Sequence, residues 1–167
     1  MPFDNFTNDE KAGEKVRTNF VIELLRIGSF DVVDTYELDR RLQRAGLSYN
    51  TSSGIPPIIK TSGVGGETIT SIPLSKQVGE VLNVEAILAG SVEAYSTERM
   101  ADQIIPEVSI SVRLIDAETS IIIWASAYSR RGSAGIPVFG WGKVTSLSVL
   151  SQQVIQNMAH ALAKYTY

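Results

Sequence analysis

The stretch from Ala86 to Gly132 leaves this chain few choices of fold. It reads AILAGSVEAYSTERMADQIIPEVSISVRLIDAETSIIIWASAYSRRG, three apolar, β-branched runs one after another. Alternation is clearest in the middle run, where Val108, Ile110, Val112 and Leu114 take turns with Ser109, Ser111 and Arg113. A period of two marks a strand with one face buried. The stretch therefore predicts an antiparallel three-stranded meander around which the other segments pack.

The flanking segments have helical periodicity. Val16, Phe20, Leu24 and Ile27 recur at spacings of four, four and three, one buried stripe that ends at Gly28. Asn8 or Asp9 is placed to cap this helix. Phe30 to Asp34 reads as a short strand, and Asp34 with Glu37 as an acidic capping box. A second helix follows, with Leu38, Leu42 and Ala45 inward and Arg40, Arg41 and Arg44 mostly outward, and Gly46 terminates it. A third helix starts near Pro73, presents Leu74, Val78, Val81 and Leu82, and stops around Asn83. A last helix spans about Thr145 to Lys164, with Leu147, Leu150, Val154, Met158, Ala161 and Leu162 on one stripe. The order β-α-β-α-loop-α-β-β-β-α makes the first three strands parallel and adds the last two as hairpins. The predicted fold class is α/β (α+β), a mixed sheet of about five strands packed by about four helices.

Two segments break the pattern. Residues 46–72 are rich in Gly, Ser, Thr and Pro and too long for an ordinary connection, and residues 131–143 form a second loop. Each holds an apolar run, Gly54-Ile55-Pro56-Pro57-Ile58-Ile59 and Gly135-Ile136-Pro137-Val138-Phe139-Gly140-Trp141. The strand directions predict that both loops reach the same edge of the sheet.

Composition excludes several classes. A chain of 167 residues with 44% hydrophobic and 20% charged residues reads as a single domain, 1–167, with 46–72 as a loop insertion. A net charge of −3 gives no strong attraction to nucleic acid. There are no cysteines, which excludes disulfides and thiolate chemistry. No apolar run approaches the ~20 residues that span a bilayer. Met1 to Phe6 reads as the tail of a strand with its turn, so the first strand is expected to be truncated, with any export signal lying upstream.

Chemistry-bearing motifs are sparse. Gly63-Val64-Gly65-Gly66 follows no predicted strand and opens no helix, and Gly140-Trp141-Gly142-Lys143-Val144-Thr145 lacks the phosphate-loop spacing. His160 is the one histidine, and it reads as a partly exposed residue of the last helix. No nucleophile, base or metal set clusters, so the expectation is no enzyme, no catalytic residue, no cofactor and no metal.

Several segments together resemble a known family. They are Pro2-Phe3-Asp4-Asn5, Leu25-Arg26-Ile27-Gly28-Ser29-Phe30, Val32-Val33-Asp34 ahead of Leu38, the run Val78 to Val92, Val112 to Thr119, and Trp124. In this order they resemble the bacterial envelope lipoprotein superfamily of the curli secretion protein CsgG, the penicillin-binding-protein activator LpoB and the TolB amino-terminal domain. The resemblance implies a non-enzymatic protein-interaction module of the cell envelope. It implies a soluble domain of an outer-membrane lipoprotein, periplasmic and tethered to the membrane through an upstream lipid anchor. The alternative it implies is an oligomerising subunit of a CsgG-like secretion or membrane assembly. Neither long loop shows the alternating strands of about 10 residues that a membrane hairpin needs.

The expected partner is another envelope protein, or a second copy in a homo-oligomer, with no nucleic acid. If Asp116 faces Ile121 across a four-residue turn, an unbroken ladder puts Arg113 opposite Trp124. Val108, Ile110, Val112 and Leu114 with Ile121, Ile123, Ala125 and Ala127 would then meet the helices. Arg113, Trp124, Tyr128 and Arg130, with Tyr95 and Glu93 of the neighbouring strand, would form the outer face. The candidate partner-binding residues are thus Arg113, Trp124, Tyr128, Arg130 and Tyr95, joined by Ile58, Phe139 and Trp141 of the loops. Trp, Tyr and Arg are the residues that dominate binding hot spots.

Overall fold

The computed structural model describes residues 3–33, 35–46, 74–100, 103–132 and 144–166. The elements are β1 (Phe3–Asn5), α1 (Ala12–Ile27), α2 (Thr35–Arg44), α3 (Leu74–Leu82), β2 (Ala86–Met100), β3 (Gln103–Asp116), β4 (Ile122–Arg131) and α4 (Leu147–Thr166). One mixed sheet runs β1-β2-β3-β4, with β1 parallel to β2 and the other pairs antiparallel. The meander is as the alternation predicts.

The strand expected at Phe30 to Asp34 does not form among the described residues: residues 30–33 have no strand pairing. Their apolar side chains are divided between two clusters, Phe30 and Val32 against the main core and Val33 against a smaller one. A segment that serves both clusters does not need the flat alternation of a strand.

The main core lies between the sheet and the α1–α4 pair. Val16, Phe20 and Leu24 of α1 and Leu150, Val154, Met158 and Leu162 of α4 are buried against Leu88, Val92, Val108, Ile110 and Val112. Burying each such side chain contributes about 1.5–3 kcal/mol. Gly90 is what lets β1 join. It pairs with Phe3, and a Cβ at Gly90 would stand 2.5 Å from the Phe3 ring. The ring takes that space and tilts against Phe20, centroids 6.2 Å apart.

The second cluster holds Leu38 and Leu42 of α2 with Val78 and Leu82 of α3, packed on Val84 and Ile87. Ile87 precedes Leu88 on β2 and so points to the other sheet face. Part of that face is therefore covered by α2 and α3. Ala45, expected inward, is exposed beyond the end of α2. Asp34 and Pro73 lie outside the described residues.

The helix stops are those expected. Gly28 (φ 77°) and Gly46 (φ 71°) take the left-handed conformation after α1 and α2, and Asn83 (φ 54°) does so after α3. The N-cap position of α1 falls to Lys11, not to Asn8 or Asp9; Asp9 acts one turn ahead of the helix, its Oδ1 accepting from the Lys11 amide at 3.0 Å and its carbonyl from the Ala12 amide at 2.9 Å. On α4, Ile155 and Ala159 are buried and Ala161 is exposed, so the inward stripe is wider than expected and turned slightly.

These placements predict unequal costs for two isoleucines. Ile110→Ala should lose about 2–5 kcal/mol of stability, since the residue is fully buried. Ile123→Ala should change stability by no more than about 0.5 kcal/mol, because Ile123 is exposed and absent from both cores. Urea melts of both variants decide the matter. Equal large losses would restore the unbroken register.

Candidate functional site

The site begins at the β3–β4 turn. The Asp116 amide donates to the Ile121 carbonyl at 2.9 Å, so Asp116 does face Ile121. Ser120 turns the chain with φ 64°. Asp116 Oδ1 accepts from the Thr119 amide at 2.7 Å and the Thr119 hydroxyl at 2.6 Å. Those bonds hold the Asp116 carboxyl below the usual carboxylate range, the hydroxyl being the larger cause.

The ladder then breaks. Ile115 pairs with Ile122, but Leu114 pairs with Trp124, leaving Ile123 as the extra residue of a bulge. The parity of β4 is reset from there on. Leu114 faces Trp124, Val112 faces Ser126, Ile110 faces Tyr128 and Val108 faces Arg130, whereas Arg113 faces Ala125. The expected Arg113–Trp124 pair does not form, although its premise about the turn is correct. Trp124 lies on the helix side and packs against the main core. Arg130 is on that side too, and its Nη1 donates to Gln153 Oε1 of α4 at 2.9 Å. Tyr128, 36% exposed, sits at the margin of the same face.

A second bulge corrects Tyr95. Val92 pairs with Ile110, Ala94 with Ser109 and Tyr95 with Val108, so Glu93 is the extra residue. Tyr95 therefore points into the core and is buried. The Lys15 ammonium lies 5.7 Å from its ring centroid and 2.8 Å from Asp9 Oδ2. The hydrogen bond between Lys15 and Asp9 lowers the carboxyl pKa and raises that of the ammonium. Of the candidate residues, the structure thus brings Trp124, Tyr128 and Arg130 together on the helix side with Tyr95, and leaves Arg113 alone of that set on the other face. Ile58, Phe139 and Trp141 lie outside the described residues.

What the outer side offers instead is a smooth strand edge. The Gly132 amide donates to the Pro106 carbonyl at 2.8 Å, which sets the hydrogen-bonding parity. Even-numbered residues from Trp124 to Arg130 direct their backbone groups to β3, so Ala125, Ala127 and Ser129 direct theirs away from it. Among the described residues β4 pairs with β3 only. The isoleucines at its start, Ile121 (61% exposed), Ile122 (53%) and Ile123 (38%), make an apolar corner beside this edge. Arg131, at its far end, is tied to Glu98 and lies 3.8 Å from Glu107. Sequence reasoning missed the edge because it missed the bulge. The available signal was size, since Trp124 and Tyr128 outbulk Ala125 and Ala127 on the alternate positions.

His160 is exposed on α4, with Nε2 3.8 Å from Oε1 of the buried Glu23, which also accepts from Arg26 at 2.6 Å. Among the described residues, no three His, Cys, Asp or Glu side chains come together as a metal site. A shallow cleft is lined by Lys76, Gly79, Glu80, Asn83, Glu85 and Glu118, at the junction of α3 with the β3–β4 turn.

No protein-family model and no curated protein matches the sequence. Solved structures do share the fold. Lipoprotein GNA1162 from Neisseria meningitidis superposes with a TM-score of 0.60 at 15% identity, covering 96% of this chain and 95% of that one. The PelC dodecamer from Paraburkholderia phytofirmans gives 0.55 at 17% identity, over 93% of this chain and 78% of that one. The LpoB C-terminal domain from Salmonella enterica, at 0.48, 16% identity and coverage of 77% and 76%, is too loosely related to add weight. This chain thus has a fold found in a bacterial lipoprotein. The CsgG and TolB parts of the resemblance rest on the sequence motifs.

The turn makes a prediction about pH. With its pKa lowered in the folded state, Asp116 contributes stability that is present above the ordinary aspartate range. That contribution is lost as the pH falls through the lowered value. Thr119→Val removes the hydroxyl donor and should raise the Asp116 pKa, and with it the pH at which this contribution fades. An NMR titration of the Asp116 carboxyl carbon in both proteins measures the shift, and an unchanged midpoint would contradict it.

Proposed function

We propose that this chain is a non-enzymatic protein-interaction module of the bacterial cell envelope. It is the soluble domain of a lipoprotein that works in the periplasm, tethered to the outer membrane, and its partner is an envelope protein, a second copy of this chain included. The observation that carries this reading is the open side of β4. Among the described residues, the backbone groups of Ala125, Ala127 and Ser129 have no strand partner there, next to the exposed Ile121–Ile123 corner and Arg113. Extended partner segments bind such edges by main-chain hydrogen bonds. The shared fold with lipoprotein GNA1162 supports the compartment. The net charge of −3 supports a protein partner over nucleic acid.

A second reading is an oligomerising subunit of a secretion or membrane assembly. It is favoured by the fold likeness to PelC, which is a dodecamer.

Photo-cross-linking tests the first reading. A photoreactive amino acid at Arg113 or Ile122 should capture one discrete envelope protein, whereas the same probe at exposed Asn19 on α1 should not. Ile122→Lys should reduce that capture at least tenfold without moving the urea midpoint. Equal labelling from all three positions, or a catalytic turnover abolished by His160→Ala, would overturn it.

A further inference from the structure

We propose that two copies of this chain join through β4, antiparallel about a two-fold axis at Ala127, so that two four-stranded sheets become one of eight. The pairing deepens the interaction reading and rests on it, naming a second copy as the occupant of this edge.

The backbone makes the first argument. Ala125, Ala127 and Ser129 point their N–H and carbonyl groups off the sheet, as set by the Gly132–Pro106 bond and the β3–β4 register. Exposed edges are ordinarily guarded by a lysine, a proline, a bulge or a covering element. Between Ala125 and Ser129 there is no charge and no proline, and the bulge at Ile123 lies before this run. Among the described residues, no strand pairs with the middle of this edge.

The side chains make the second argument. A two-fold contact requires that residues equidistant from the axis suit each other. With the axis at Ala127, the outward rungs are Ala127 with Ala127 and Ala125 with Ser129, all small and uncharged. On the helix side Ser126 meets Tyr128 and Trp124 meets Arg130. Arg130, held to α4 by Gln153, thus brings a positive charge to the rung of an uncharged residue. Arg131 falls opposite Ile123. No like charges oppose each other, though the strand ends in two arginines. Tyr128 keeps its partial exposure on the helix side, at the place where the second copy would cover it.

The absence of native cysteine makes the register directly testable. Facing residues of a hydrogen-bonded antiparallel pair stand about 5.5 Å apart at Cα, within the roughly 4.4–6.8 Å a disulfide spans. Ala127→Cys should cross-link to itself under mild oxidation and run as a dimer on a non-reducing gel. Ala125→Cys and Ser129→Cys should each run uncross-linked on that gel, and an equimolar mixture of the two should cross-link. The unmodified chain should sediment as a dimer, and Ala127→Pro, which removes only an outward amide, should sediment as a monomer. The cysteine variants decide the question if the proline variant does not fold. An unmodified chain that stays monomeric at all concentrations overturns the pairing. So does a dimer in which Ala127→Cys cross-links no better than Ala125→Cys, since the copies would then meet elsewhere. If these fail while the probe at Arg113 still captures an envelope protein, the pairing alone is lost and the interaction role stands.

Discussion

The ladder between β2 and β3 is the constraint on which every other contact depends. Its rungs Leu88–Leu114, Gly90–Val112 and Val92–Ile110 make one apolar floor, and α1 and α4 lay their stripes on it. The missing side chain at Gly90 is part of that floor, because it seats the Phe3 ring and lets a three-residue β1 dock in parallel. The floor has to stay apolar beyond Val92, where simple alternation would turn Ala94 inward. The bulge at Glu93 keeps the floor closed by turning Tyr95 inward instead, opposite Val108. A strand can change which of its residues are buried only by spending one residue outside the ladder.

That same device separates what was legible in the sequence from what was not. The helices, their glycine and asparagine stops and the meander are properties of single segments, and each segment announces them. Parity across a pair of strands belongs to neither strand alone. The turn at Asp116 is legible in its own residues, but one extra residue at Ile123 moves Trp124, Tyr128 and Arg130 to the helix side. Three consecutive isoleucines carry no alternation from which the slip could be seen. On β2 there was a trace of it, since Leu88, Val92 and Tyr95 are spaced by four and then three, an even step followed by an odd one. Phe30 to Val33 failed for a different reason. A short apolar run has the composition of a strand whether it pairs or bridges two clusters.

The two arginines that end β4 show how the bulge divides labour. Arg130 reaches inward to Gln153 and fastens α4 to the sheet margin, while Arg131 reaches outward to the acidic groups of Glu98 and Glu107. Read as a pair, they suggest a small basic patch. In the fold they face opposite ways, and the outer one is matched by carboxylates. Exposed pairs of this kind contribute little stability, about 0–1 kcal/mol. Their effect is to leave the end of the edge without an uncompensated positive charge.

The bulge at Ile123 therefore determines the core and the edge together. In any antiparallel strand the residues with outward backbone groups at an edge are every second one, and they share a sheet face. Without the slip, those positions on β4 would have been Trp124, Ser126, Tyr128 and Arg130. The ring mass of Trp124 would have been lost from the core, and the free backbone would have sat among bulky side chains. With it, the large residues fill the space beneath α4, and the free backbone falls to Ala125, Ala127 and Ser129. Packing the interior and smoothing the edge are consequences of one inserted residue, so a chain selected for the first acquires the second.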